Sequence, residues 1–306
     1  MKNINSKIKH WIQTKMSGLN GNLIEILAKQ FSYIVRAEHL SSCAVNSTTH
    51  GISYEKYCDT EIIVSLTTYD RRLSEVYLAI ESIMQQTLKP NRIILWLGNE
   101  LKNTNIPLVL KNQQKRGLEI RYWKDIRSYK KLIPTLLAFP SSVIITVDDD
   151  YLYDYALVEN LVSGYIENPE LIHCVWLRQM KLLHSNVLEK YRKWRSADDF
   201  FPVSPQNFSI GAGGVLYPPG CFSEEVFNEE VFLDICKYAD DVWFKAMALL
   251  NNTLSKKIPV NCNNLQIKSV QDMALSKINV EGGQNDVQLK AVFDRYNLYG
   301  RMLEEL

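Results

Sequence analysis

VIITVDDD, residues 143–150, decides the fold. Its first five residues are apolar or β-branched without alternation, the pattern of a strand covered on both faces. The exit is abrupt, because Val147 is followed directly by Asp148, Asp149 and Asp150. If the backbone stays extended, Asp148 and Asp150 point to one side and Asp149 to the other. Adjacent carboxylates raise each other's pKa, so clustering them gains nothing without a cation. Hard oxygen ligands suit Mg2+ or Mn2+, which proteins hold with one or two carboxylates plus substrate phosphates. The competing reading is a solvated loop before a helix that starts near Asp154, since helix N-termini favour carboxylates.

Upstream, EIIVSL (61–66) reads as a first strand that runs into Thr67, Thr68, Tyr69 and Asp70. Leu73, Val76, Tyr77, Ile80 and Met84 then recur at helical spacing until Pro90, and RIILWL (92–97) is a second strand. A helical stretch near 105–115 leads to a third strand, Leu118 to Trp123, and Tyr129 to Phe139 is a short helix limited by Pro134. This alternation predicts an α/β fold, a mainly parallel sheet flanked by helices. Ligands of such sheets bind at the carboxyl ends of strands, so the exits after Leu66, Leu97, Trp123 and Val147 are where chemistry is sought.

A second acidic pair, Asp240-Asp241, heads a helical stripe through Val242, Phe244, Met247 and Leu250. It is either a helix cap or a base placed for a substrate hydroxyl. Lys130 and Lys131 are either a solvated basic turn or counter-charges for phosphate. Gly211, Gly213 and Gly214 allow close approach of a ligand or form an ordinary turn. Tyr217 and Trp243 can stack on a sugar face or belong to the core. His173 and His184 lack a third ligand and read as structural.

Charge and length narrow the class. With 35 Lys+Arg against 34 Asp+Glu in 306 residues, the chain lacks the basic excess of a nucleic-acid binder. No apolar run approaches the ~18 residues of a membrane span. Six scattered cysteines form no Cys-x-x-Cys pair, and without a signal-peptide pattern they read as thiols of a cytoplasmic protein. Lys2, Lys7, Lys9 and Lys15 precede the first acid, Glu25, and alternate with Ile4, Ile8, Trp11 and Ile12. Residues 1–17 therefore read as a basic amphipathic helix, lying on an anionic membrane surface or packed on the body. A second helical stretch, Leu23 to Ile34, follows, and residues 41–60 are polar and turn-rich, a linker.

The acidic triplet after the fourth strand resembles the DxD motif of nucleotide-sugar-dependent glycosyltransferases of the GT-A fold, family-2-like bacterial enzymes in particular. IVSLTTYDRR (63–72) is similar to their first strand and nucleotide-facing loop, and RSYKKLIPTLL (127–137) to the segment before the DxD strand. IGAGGVLYPPG (210–220) resembles their acceptor-side loop, and ADDVWFKAMAL (239–249) their acidic helix opening. The resemblance implies a GT-A (Rossmann-like) domain over 60–255, with a nucleotide-sugar half near 60–150 and an acceptor half near 151–255. A helical extension and linker (1–59) would precede it, and a C-terminal segment (256–306) would pack on it.

It further implies Mn2+ or Mg2+ at Asp148 and Asp150, and a nucleotide-sugar donor, UDP-linked by first choice, met by Thr67, Thr68, Tyr69, Lys130, Lys131, Asp148 and Asp149. A glycan or lipid-linked glycan acceptor would contact Gly213, Gly214, Tyr217 and Trp243. Asp241, with Asp240 second, would be the base of an inverting hexosyl transfer in bacterial surface polysaccharide (capsule or lipopolysaccharide) synthesis. One departure is that the second strand ends Leu97-Gly98-Asn99-Glu100, without the family's acid, so Asp125 is the substitute for nucleotide recognition. The competing functions are a metal-dependent phosphohydrolase and a non-catalytic nucleotide- or carbohydrate-binding domain.

Overall fold

The computed structural model describes residues 21–184, 186–196, 201–269 and 277–303. The amphipathic stretch at 1–17 lies outside them. Seven strands form the central sheet: β1 (Ile62–Thr67), β2 (Arg92–Gly98), β3 (Leu118–Trp123), β4 (Val143–Thr146), β5 (Ile172–Cys174), β6 (Val215–Tyr217) and β7 (Ser255–Lys257). Their spatial order is β7–β5–β6–β4–β1–β2–β3. Strands β4, β1, β2 and β3 are parallel neighbours, with Ser65 opposite Thr146 and Thr67 opposite Trp96. Strand β6 runs antiparallel to both β4 and β5, while β7 is parallel to β5. The sheet is thus mainly parallel with one reversed strand. That reversal brings the segment before β6 to the edge where β1 and β4 end.

The helices are α1 (Gly21–Asn46), α2 (Val76–Met84), α3 (Leu108–Gln114), α4 (Ile133–Ala138), α5 (Leu157–Glu167), α6 (Glu229–Ile235), α7 (Asp240–Leu250) and α8 (Gln284–Tyr296). One sheet face, with Ile62, Val64, Leu66, Ile93, Leu95, Val143 and Ile145, shares a core with Val76, Ile80, Leu110, Leu157 and Leu161. The other, with Ile144, Cys174, Val215 and Tyr217, shares a core with Phe232, Val242, Trp243 and Phe293. Burial on both faces is the reason β1, β2 and β4 are predominantly apolar without alternation. Each such side chain contributes about 1.5–3 kcal/mol.

Two boundaries differ from the sequence reading. Helix α1 continues to Asn46, into the expected linker. Leu40 packs with Leu78 and Ala79, and Arg116 ties the end of α1 down. Arg116 donates to Cys43 O, to Thr49 O and, through both Nη atoms, to the buried Glu81 at 2.8 and 2.9 Å. Tertiary contacts thus override a polar local sequence. Helix α5 starts at Leu157 rather than near Asp154, because Tyr151–Leu152 first pairs antiparallel with Leu265–Gln266. On α1, Leu23, Ile26, Phe31 and Ile34 remain exposed. Among the described residues, no helix is long and apolar enough to cross a membrane.

Candidate functional site

A cavity of about 500 Å3 opens where β1 and β4 end. Thr67, Thr68 and Tyr69, leaving β1, and Asp148, Asp149 and Asp150, leaving β4, line it together with Asp125, Lys130, Lys131, Asp240 and Asp241. Four stretches far apart in sequence therefore meet at one place.

The segment after β3 is fixed first. Tyr129 is fully buried, donates its hydroxyl to Cys236 O at 2.6 Å and stacks on Phe232 at 4.0 Å. Pro134, at the start of α4, suits a first helical turn. Behind it, Thr135 Oγ1 meets Ser65 Oγ at 2.8 Å and accepts from Trp96 Nε1 at 2.7 Å. These anchors carry Lys130 and Lys131 into the cavity. Lys131, with a side chain only 6% exposed, donates to Asp148 Oδ1 at 2.8 Å and lies 3.0 Å from Asp240 Oδ2. Lys130 is committed to Asp125, which also accepts the Arg127 N–H at 3.0 Å.

The triplet does not follow the extended alternation. The chain turns at Asp149 and Asp150, so those two share Arg72 while Asp148 faces Lys131. Asp149 receives Thr68 Oγ1 and Arg72 Nη1, both at 2.6 Å, and Asp150 lies 3.3 Å from Arg72 Nη2. The triplet is joined to the loop before β6 through Tyr153. Its hydroxyl accepts the Asp148 N–H at 2.7 Å and donates to Ala212 O at 3.2 Å.

The acidic pair closes the far wall. Asp240 accepts from Ser128 Oγ at 2.9 Å, and half-buried Asp241 accepts the Gly211 N–H at 2.9 Å. Both stand in the first turn of α7, where the helix dipole favours negative charge.

Four carboxylates thus pair with two buried cations, Asp149 and Asp150 with Arg72 and Asp148 and Asp240 with Lys131, while Asp241 feels the charge of Lys131 without a described ion pair. The imbalance shows in their ionisation. Burial, and then the charge of Asp148, push Asp150 up to about 7. Burial and then Asp240 do the same for Asp241, also to about 7. Burial would lower Lys131, but Asp148, Asp240 and Asp241 outweigh it and hold the ammonium well above its ordinary range. For Asp125, burial is overcome by Lys130 and the Arg127 N–H, and its pKa is lowered.

A divalent cation fits this excess of negative oxygen, with Asp148 and Asp150 as the side chains that would hold it. Among the described residues, no cluster of three or more ligating side chains exists. The rest of such a shell would come from phosphate oxygens and water, as is usual for Mg2+.

Several sequence-derived positions lie elsewhere. Trp243 is fully buried, with Nε1 donating to Val226 O at 3.1 Å, and Tyr217 is buried against Phe222 and Phe244. Neither lines the cavity, and their rings belong to the core between β6 and α7. Gly213 packs so closely on Trp176 that a Cβ would come within 2.8 Å of that ring, and Gly214 turns the chain into β6 at φ +98°. The loop reaches the cavity through Ile210 and Ala212 instead. Asp125 lines the cavity with a side chain 61% exposed. Arg72, Ser128 and Tyr153 carry contacts that the residues alone did not assign, the signal for Arg72 being the basic pair that ends IVSLTTYDRR. Gly211, read as a glycine of close approach or of an ordinary turn, donates its N–H to Asp241.

No protein-family model matches the chain, and no curated protein sequence matches it. Solved structures similar to it include Staphylococcus aureus TarS in complex with UDP, at 13% identity and a TM-score of 0.43 over 66% of this chain. The chain spans 59% of that structure's length. The mannosyltransferase PcManGT from Pyrobaculum calidifontis, with GDP-Man and Mn2+, is similar at 11% identity and a TM-score of 0.43, covering 85% of this chain and 68% of that one. The inositol-1-phosphate CTP transferase from T. maritima is similar at 11% identity and a TM-score of 0.41, over 81% and 98% of the two chains.

Proposed function

We propose that the chain is a metal-dependent, inverting glycosyltransferase of the GT-A type that moves a sugar from a nucleotide donor, UDP-linked by first choice, to a glycan or lipid-linked glycan. The observation that carries it is the convergence, at the exits of β1 and β4, of the acidic triplet, Lys131 and the Asp240–Asp241 pair in one cavity.

Thr67, Thr68 and Tyr69 face the nucleotide, and Asp148 and Asp150 are the residues that would hold Mn2+ or Mg2+. The ion, when bound, supplies Lewis-acid stabilisation of the leaving diphosphate. Lys131, already between Asp148 and Asp240, adds a second positive charge as negative charge develops there. Asp241 takes the acceptor hydroxyl proton, with its carboxylate oriented by the Gly211 N–H. A base on the face opposite the leaving group gives inversion. The division into a donor half, an acceptor half and a C-terminal segment belongs to the same proposal. So do a cytoplasmic role in surface polysaccharide synthesis and contact of residues 1–17 with an anionic membrane that presents the acceptor.

A thermal-shift panel of nucleotide sugars, with and without Mn2+, tests the reading. A ligand at about 100 times its Kd adds roughly 2.7 kcal/mol, so one nucleotide family should raise Tm in a Mn2+-dependent way. A folded sample that responds to none of them removes the proposal. Release of inorganic phosphate or sugar 1-phosphate without an acceptor would favour the phosphohydrolase.

A further inference from the structure

Five cations line the cavity: Arg72, Arg127, Lys130, Lys131 and Lys237. Three are committed to carboxylates, Arg72 to Asp149 and Asp150, Lys130 to Asp125, and Lys131 to Asp148 and Asp240. Arg127 and Lys237 differ. Among the described residues, neither is ion-paired with a carboxylate, and both lie at the ring of Tyr238, 5.1 Å and 5.8 Å from its centroid. Their placement is specific. Arg127 holds a left-handed backbone at φ +56°, kept there by its N–H bond to Asp125 Oδ1. Tyr238 is held by Gln288, which accepts its N–H at 2.7 Å, and by Asn279, which donates to its carbonyl at 2.7 Å. Arg127 and Tyr238 each stand within two residues of the Ser128–Asp240 hydrogen bond, beside the wall that carries Asp241. A bulky residue in the left-handed region is uncommon and clusters where structure over-determines it, often at ligand clamps.

We propose that Arg127 and Lys237, on the Tyr238 platform, form a subsite for a phosphate group carried by the acceptor, so that the acceptor is a phosphorylated molecule rather than a neutral sugar. This rests on the glycosyltransferase reading, because it identifies the class of the second substrate. The donor diphosphate answers to the triplet wall, where Arg72 and Lys131 already stand. The Arg127/Lys237 pair is the positive charge of the cavity that makes no direct ion pair among the described residues, although Asp125 feels the charge of Arg127 across the loop.

Calorimetry on the full chain with inorganic phosphate, and with the nucleoside diphosphate that gives the largest shift in the panel above, tests it in R127Q, K237Q and the double variant. Phosphate binding should fall by about tenfold or more in the double variant, with nucleotide affinity within about twofold of the parent. Each single variant should give an intermediate loss, with Tm unchanged. Equal loss of nucleotide and phosphate binding would assign the pair to the donor diphosphate and overturn the proposal, as would a parent protein that does not bind phosphate. Phosphate binding that depends on Arg127 and Lys237, in a protein that binds no nucleotide, would retain the anion subsite and remove the glycosyltransferase reading.

Discussion

Asp241 and Lys245 stand one turn apart on α7 and face opposite demands. Asp241 is held near neutrality of charge by burial and by Asp240, yet must be ionised to take a proton. Transfer measured as kcat/KM should therefore rise with pH as the acidic cluster ionises, at a midpoint that belongs to the coupled cluster and falls below its metal-free position when a divalent cation is bound. Asp241→Asn should remove that limb and lower transfer by about 10²–10⁴-fold, with nucleotide binding by thermal shift unchanged. Lys245 is buried, its Nζ has no hydrogen-bond partner among the described residues, and burial lowers its pKa to about 7. An unfolded lysine titrates near 10.4, so between about 7 and 10 the unfolded state binds the extra proton and stability rises with pH. Lys245→Met should stabilise the protein by on the order of 2–4 kcal/mol at pH 7. Its Tm advantage over the parent should shrink as pH approaches 10. An advantage independent of pH would refute the burial penalty. Trp243→Ala should cost about 3–5 kcal/mol in urea unfolding, as for a core tryptophan, with nucleotide binding retained. At this scale the sequence was a poor guide. An aromatic at the head of a helix reads alike whether it packs inward or meets a sugar, and only its complete burial decides.

The loop Gly211–Gly213 and the first turn of α7 work as one element. A Cβ on Gly211 would lie 2.5 Å from Asp241 Oδ1 and 3.1 Å from Lys131 Nζ. Gly211→Ala should therefore displace the proposed base while leaving the core intact. The expected loss of kcat is about 10²-fold for a shift near 1 Å, with Tm changed by only a few degrees. An unaffected kcat would show that the loop does not orient Asp241. Elements with strong local periodicity were legible from residues alone: β1, β2 and β4 as apolar runs, α2 as a stripe, and the triplet at a strand exit. The three-residue β6 was not, because Val215, Leu216 and Tyr217 sit between Gly211–Gly214 and Pro218–Pro219, in what reads as loop. Its strand character comes from hydrogen bonding to β4 and β5. The turn at Asp149 and Asp150 was hidden for the same reason. Arg72, about 77 residues away in sequence, specifies it.

Over the whole molecule, near-neutral net charge conceals a cavity in which six carboxylates face five cations, an excess that favours a further positive charge there. The arrangement also has a history within each chain as it is made. Strand β4 pairs with β1 on one side, but its other edge is completed only by β6, about 70 residues later. At roughly 5–20 residues per second of synthesis, that edge stays open for roughly 4–14 seconds. Until Val215–Tyr217 emerges, an apolar strand leading into the acidic triplet offers unpaired N–H and C=O groups to any neighbouring nascent chain. Slow codons between positions 151 and 215 would therefore lower soluble yield while leaving the Tm of the recovered protein untouched, and a chaperone that shields strand edges would restore it.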